Sequence, residues 1–377
     1  MFGIYVHLPF CVHRCSYCDF YSSTQGSPEA FAKVASKIAW ETRAAAAWLR
    51  QSKGLCPVQS VFFGGGTPSL MPMEHLEQLF ANLGAEFEIA PDAEITLEAN
   101  PETVTDAFAE ALLAKTPVNR VSLGAQSFQK AHLATLERLG SAESIARAVE
   151  RLKRAGLTRF SLDLIFGIPG QTPEELLSDI DQAVALGPSH LSFYSLTLKP
   201  GHKLFARLPS DDVAAELYEL GAQRLNEQGF DAYEISNFTR PGMQSRHNLL
   251  YWSGGDFLGL GPSAASRFFW DGRFHHRKQV SSWEQYLKVD SFPNPAFEST
   301  TAFQTVLEAT FLEIRKQDGI ALAEFEKRYG YALDRSSAYP HFQKEGLIEE
   351  AHGHLRLSPK GWLLAEGIAE RLVEMPR

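Results

Sequence analysis

The sequence predicts an α/β chain: a partial, open barrel of six β/α units followed by a small C-terminal domain. Three observations lead there. Short β-rich runs alternate with segments of helical periodicity through about residue 230, and strands separated by helices pair in parallel through right-handed crossovers. Polar or glycine-rich motifs follow each run, which is where sites assemble in such architectures. Residues 290–300, with Phe292-Pro293-Asn294-Pro295, look like a linker, and a different element pattern follows them. Six units are too few for a complete eight-unit barrel, so the barrel is expected to stay open.

The expected strands are 2–8, 60–63, 94–98, 120–124, 159–165 and 191–198. Between them, Leu76, Leu79, Phe80 and Leu83 fall at i, i+3, i+4 and i+7, one face of a helix. Ile145, Val149 and Leu152 form another apolar face, ended by Gly156. Thr172-Pro173-Glu174-Glu175 is a capping box with proline at the first helical position, ahead of Leu176, Ile180 and Val184. A further helix is expected over 214–228. After residue 300 the pattern is helix, helix, helix, a hairpin turning near His352-Gly353, then a helix capped by Ser358.

Composition narrows the function. A chain of 377 residues can bury a large core and a smaller one. The net charge of -9 supplies no basic stripe for nucleic acid or an anionic membrane. No apolar run approaches the roughly 20 residues of a membrane span, and no secretory signal pattern opens the chain. Three of four cysteines are clustered, which argues against a disulfide framework and for a reducing, cytoplasmic setting.

Those three are Cys11, Cys15 and Cys18, spaced C-x3-C-x2-C at the end of the first strand, which Pro9 stops. Thiolates select zinc, Cu(I) or iron–sulfur clusters. A closed zinc site needs a fourth protein ligand, which would be His13 or the distant Cys56. A [4Fe-4S] cube on three thiols instead leaves one iron open to a substrate or cofactor. Inert thiols on one helix face are the third reading, disfavoured by Pro9 and the intervening aromatics.

The later strand ends carry further candidates. Gly64-Gly65-Gly66-Thr67-Pro68-Ser69 lets backbone approach a ligand with no Cβ in the way, or is only a tight turn. Glu98, in Glu98-Ala99-Asn100-Pro101, is a solvated strand end or an acceptor for a ligand ammonium or ribose. Ser122 to Phe128 contains Gln126. Asp163 sits in an otherwise apolar strand, where an unpaired charge is costly to bury, so a binding role is expected. His247-Asn248-Leu249-Leu250-Tyr251-Trp252 contains a lone histidine, a residue more often satisfied in place than a ligand. Gly259 to Ser266 has the composition of a flexible loop.

C-x3-C-x2-C with Tyr17 before the last cysteine resembles the signature of radical S-adenosylmethionine (radical SAM) proteins. The string Ile4-Tyr5-Val6-His7-Leu8-Pro9-Phe10-Cys11 to Cys18-Asp19-Phe20 is similar to the branch of oxygen-independent coproporphyrinogen III oxidase, and the H-N-x-x-Y-W stretch resembles that of its HemW-type heme chaperones. The resemblance implies a partial (β/α)6 TIM-like radical SAM core over 1–235, an extension carrying H-N-x-x-Y-W over 236–290, and a HemN-like, winged-helix-like domain over 300–377. It implies a [4Fe-4S] cluster on Cys11, Cys15 and Cys18, with SAM chelating the fourth iron. By motif position it places Tyr5, Tyr17, Gly65, Gly66, Thr67, Glu98, Gln126, Arg138, Asp163 and Thr197 around SAM, and gives His247 to heme; a neutral imidazole is a natural axial ligand. Where such chaperones usually carry histidines this chain has Gly140 and Ala265.

Two functions follow from the resemblance. One is a heme chaperone passing heme to acceptor haemoproteins, with respiratory-chain proteins as candidates and a homodimer as a compatible state. The other is the decarboxylase, in which one-electron reduction of bound SAM yields a 5′-deoxyadenosyl radical that abstracts hydrogen from a propionate side chain, leading to decarboxylation. The decarboxylases extend the motif to C-x3-C-x2-C-x-C, whereas this chain has Phe20 there. Acidic residues slightly outnumber basic ones after residue 300, so a winged helix here is expected to be a lid or docking element, not a DNA reader.

Overall fold

The computed structural model describes residues 1–374; 375–377, the end of the expected C-terminal domain, lie outside the described residues. Six parallel strands follow in spatial order: β1 (Phe2–Leu8), β2 (Val58–Gly65), β3 (Ile89–Ala99), β4 (Arg120–Gln126), β5 (Phe160–Phe166) and β6 (His190–Ser195). Each expected strand is present, although β6 stops at Ser195, short of the expected 198.

The crossovers form where local chemistry favours helix. Ser27 caps the helix Pro28–Ser52, whose alanine-rich face buries Val34, Ile38, Ala45 and Leu49. Thr172 and Glu175 make the expected reciprocal capping box at Pro173–Ala185. On each strand alternate residues turn to opposite faces. Ile4, Val6 and Leu8 join the core beneath the helices, while Tyr5 and His7 face the barrel interior and contact one another there.

The sheet extends beyond the six units on both sides. β7 (Asp231–Glu234) and β8 (Asn237–Thr239) form a hairpin, with β8 antiparallel to β6. On the far side of β1 lies β9 (Asp256–Leu260), parallel to it, then β10 (Ala265–Trp270), β11 (Arg273–Lys278) and β12 (Glu298–Ser299), giving twelve strands in one open sheet. Two expectations are corrected here. The stretch 259–266 is not a flexible loop: it is the end of β9, a tight turn and the start of β10, with Leu260 and Ala264 fully buried. Gly259 is required because a Cβ would lie 2.0 Å from the Ala265 carbonyl oxygen. Nor does 290–300 hang free as a linker, because Phe297 stacks on Trp48 at 5.0 Å and Phe292 packs beside it.

A buried ion pair locks this added wing to the barrel. Glu41, on the long helix, accepts from Arg277 Nη2 (2.8 Å), Gln279 Nε2 (2.9 Å), Tyr286 Oη (2.8 Å) and the Gly261 amide (2.8 Å).

The C-terminal segment has its own core of Phe325, Phe342, Ile348, Leu355, Ile368 and Leu372. Helices Ala302–Glu313, Leu322–Tyr329 and Tyr339–Lys344 accompany a three-stranded antiparallel sheet of β13 (Ile320–Ala321), β14 (Ile348–Ala351) and β15 (His354–Leu357). The hairpin turns at His352-Gly353, both at positive φ. The expected Ser358-capped helix is two short ones, Pro359–Trp362 and Ala365–Leu372, with Leu363 and Leu364 between them.

Candidate functional site

The cysteine loop leaves the carboxyl end of β1 and is stitched to the strand ends around it. Gly66 N donates to Leu8 O and Thr67 N to Phe10 O, both at 2.8 Å, while Cys11 N donates to Ser23 O at 3.0 Å. Polar donors aim at the sulfurs. Thr67 Oγ1 donates to Cys11 Sγ at 3.3 Å, and Arg138 Nη1 reaches Cys15 Sγ at 3.8 Å. A relay stands behind them: Arg138 Nη2 donates to Asn100 Oδ1 (2.9 Å), and Asn100 Nδ2 donates to Thr67 Oγ1 (3.0 Å). Burial, with the other thiols as a lesser cause, pushes the Cys18 thiol up, and burial does the same to Cys11, opposed by hydrogen bonds from Thr67 and Ser22.

Among the described residues no three potential metal ligands already converge on one ion. Cys56 is exposed and precedes β2, at the opposite end of the barrel from the loop, and His13 is exposed. Cys56 is thus too far off to complete a closed zinc site, whereas His13 stands in the loop itself and lines the same cavity as Cys15. Three sulfurs with a guanidinium and a hydroxyl directed at them suit a cube with one free corner.

The glycine triplet serves packing as much as ligand approach. A Cβ on Gly64 would meet Glu98 Oε2 at 2.9 Å, and one on Gly66 would meet the backbone of Pro9 at 2.7 Å. Gly65, at φ 107°, has the His7 ring 2.5 Å from where a Cβ would be. Its amide donates to Glu98 Oε2 at 3.2 Å. The triplet thus lets β1, the cysteine loop and Glu98 close on one another.

Below the loop the barrel interior is polar. Glu98 and Asp163 both face it, close enough for the Asp163 charge to reach Glu98. Burial, then the charge of Asp163, pushes Glu98 up to about 8. Asp163 is also raised by burial, despite donation from Ser122 Oγ at 3.2 Å. Tyr5 donates to His7 Nδ1 (3.1 Å), because His7 Nε2 must carry the proton it gives to the Tyr21 carbonyl (2.9 Å). Burial holds His7 down to about 4, neutral at physiological pH. Tyr17 lies against Arg138 and the thiols. Gln126, at φ 67°, brings its amide beside Gly124, where Asn100 and Arg138 also arrive.

Two of the sequence candidates are placed differently from the rest. Thr197 lies beyond β6, is exposed, and its hydroxyl donates to the Ser195 carbonyl at 3.5 Å. His247 is not an open ligand: it forms part of the barrel floor, 1% exposed, and both ring nitrogens are partnered. Nδ1 is 2.9 Å from Ser60 Oγ and Nε2 is 2.9 Å from Tyr251 Oη, with Phe62 stacked on the ring. Burial lowers it to about 3. The imidazole as it stands offers no lone pair to an iron; its geometry positions Tyr251, whose hydroxyl is near enough to Glu98 to feel its charge.

Asn100, Ser122 and Arg120 were not singled out from sequence. Arg120 opens β4 as Asp163 sits in β5, a charge in an apolar strand, and the same argument finds it: it is 3% exposed and faces Glu98 and Asp163. At Gly140 a side chain would meet Glu102 Oε1 at 2.0 Å, so the histidine usual there would have to displace the exposed end of Glu102. Ala265 is exposed at the start of β10.

Residues 5–183 match the model of the radical SAM superfamily and residues 304–364 that of the HemN C-terminal domain. Over 99% of the chain, and 95% of the relative, the sequence is 36% identical to a protein named heme chaperone HemW of Mycobacterium tuberculosis. The chain belongs to the HemW family of radical SAM proteins. HemW of Escherichia coli is 38% identical over 72% of this chain and 71% of its own. Coproporphyrinogen III oxidase (HemN) of Escherichia coli, described as a radical SAM enzyme, superposes with a TM-score of 0.82 over 99% of this chain and 90% of its own. At 22% identity that match shows this chain and HemN sharing a fold. Membership of the superfamily implies a [4Fe-4S] cluster and SAM. Among the described residues no helix is long and apolar enough to cross a membrane.

Proposed function

We propose that this chain is a heme chaperone, binding heme and passing it to acceptor haemoproteins from a scaffold that carries a [4Fe-4S] cluster and SAM. The near-full-length relationship to proteins named heme chaperones carries this reading. Cys11, Cys15 and Cys18 would hold the cluster, which when bound would supply one-electron chemistry toward SAM. Thr67 and Arg138 would temper the charge of the thiolates. Tyr5, Tyr17, Gly65, Gly66, Gln126, Asp163 and Glu98 would line the SAM pocket, Glu98 as acceptor for a ligand ammonium or hydroxyl. Thr197 would join only if the segment after β6 moves inward. The reducing cytoplasm suits exposed Cys56 and three free thiols.

The decarboxylase reading draws on fold alone. Against it stands Phe20, 68% exposed, where the decarboxylase pattern has a fourth cysteine. The test is anaerobic reconstitution, with the product split between a hemin titration and a coproporphyrinogen assay. Stoichiometric hemin binding without porphyrinogen turnover is expected. Turnover without hemin binding would reverse the assignment.

A further inference from the structure

We infer that Arg120 is a positioning residue that makes the barrel interior selective for charge: one cation set below two carboxyl groups, Glu98 and Asp163, admits a ligand with one net positive charge in exchange for a proton. The inference rests on the reading of this interior as the SAM pocket and gives its selectivity a cause. Strand register places the three groups. Thr96 pairs with Arg120 and Glu98 with Ser122 across β3 and β4, and Gly124 pairs with Asp163 across β4 and β5. Val121, Leu123 and Ala125 turn to the core, so alternation turns Arg120, Ser122 and Gly124 to the interior, with Arg120 at the inner end.

Arg120 is 3% exposed, and among the described residues its guanidinium makes no hydrogen bond and no ion pair. A cation left this way in the interior is compensated by charge acting at a distance, and the carboxyl groups that feel it are Glu98 and Asp163. The surrounding groups leave that count unchanged. Tyr5 and Tyr251 face Glu98, and Tyr194 and Tyr17 face Asp163, but burial drives all four phenols up, so they stay neutral. Burial likewise holds His7, His190 and His247 down and neutral. Arg138 also reaches Asp163, but it is engaged by Asn100, the Gly124 carbonyl and Cys15 Sγ, so its charge answers the thiols.

One cation answers one carboxylate, and the second carboxyl keeps its proton. Asp163 accepts from Ser122 Oγ (3.2 Å) and from Ser192 as well, whereas Glu98 has the Gly65 amide (3.2 Å) and must bear the charge of Asp163. Glu98, lifted to about 8, is the group that stays protonated at neutrality. A sulfonium ligand brings the one positive charge that replaces this proton, and the proton passes to solvent. S-adenosylhomocysteine, the neutral thioether with the same adenosine and amino-acid groups, brings no such charge and leaves Glu98 as it was.

The experiment is isothermal calorimetry of the reconstituted full chain with SAM and with S-adenosylhomocysteine, in buffers of different ionisation enthalpy, between about pH 6 and pH 9. A proton lost from the ammonium group is common to both ligands and cancels in the difference. We expect SAM to release nearly one proton more than the thioether at neutrality, the excess fading as pH passes 8. The affinity ratio of SAM to thioether should rise ~10-fold per pH unit below that point and then level off. Glu98→Gln should abolish the excess proton, Arg120→Met should move the levelling-off to higher pH, and Arg120→Lys should bring it back. A merely structural defect would weaken both ligands together and leave the ratio alone. Equal proton release by the two wild-type complexes would overturn the inference, and that comparison holds whether or not Arg120→Met takes up a cluster. An Arg120→Met profile that levels off at the wild-type pH would overturn it too. A wild-type chain with its full iron and sulfide that binds neither ligand would instead remove the pocket reading.

Discussion

Replacing Glu41 by Ala tests how the outer wing is held to the barrel. Glu41 is 1% exposed and the Arg277 side chain fully buried, so the pair has no water to fall back on. Breaking a buried ion pair by removing one partner costs about 3–5 kcal/mol, since the other charge is left uncompensated. Here the carboxylate also serves Gln279, Tyr286 and the Gly261 amide, and each donor orphaned in the interior adds about 1–3 kcal/mol before relaxation. Arg277 keeps one bond, to the Asn294 carbonyl at 3.1 Å, which softens the loss. We therefore expect about 4–6 kcal/mol, a large share of the roughly 5–15 kcal/mol that a domain has in total. Urea unfolding followed by far-ultraviolet circular dichroism measures it. Glu41→Gln, which retains an acceptor, should fall between. A loss below about 1 kcal/mol in Glu41→Ala would show that the carboxylate is not the anchor, and the argument from burial would fail.

Three further outcomes are expected. Alanine at Cys11, Cys15 or Cys18 should abolish bound iron and sulfide after reconstitution, whereas Cys56→Ala should leave both unchanged; elemental analysis decides. Gly65→Ala combines a strained φ with a clash on the His7 ring, and should lower stability by about 2–4 kcal/mol, read by thermal melting, with reduced cluster uptake. Glu98 titrates near 8 when folded against 4.5 in the unfolded chain. Its contribution is fully present below 4.5 and is lost as pH rises through 8, so the stability of wild type relative to Glu98→Gln should decline across that window. A flat difference between the two would place the Glu98 carboxyl in ordinary solvent.

The six-strand core was legible because buried parallel strands are continuous apolar runs, and each ends in a motif too polar or glycine-rich to belong to the run. The wing was not. In β10 and β11, Arg267 and Arg277 suggest a solvated surface, yet each is buried against a carboxylate far away in sequence, Glu308 and Glu41. His247 shows the same limit at the site. Its neighbours on the chain give no sign of Ser60, 187 positions away, which occupies Nδ1. The thiols, Glu98 and Asp163 were visible because cysteine spacing, a carboxylate at a strand end and a charge in an apolar strand are local signals. The role of Gly64 to Gly66 as packing spacers depends on where β1 lies, which no local pattern reveals.

The strand that bears the thiol loop has a neighbour along each edge, β2 on one and β9 on the other. Stripping iron from the folded protein should therefore leave the socket standing. Reloading it then asks only the short thiol loop to draw its three sulfurs together, on a strand that already stands.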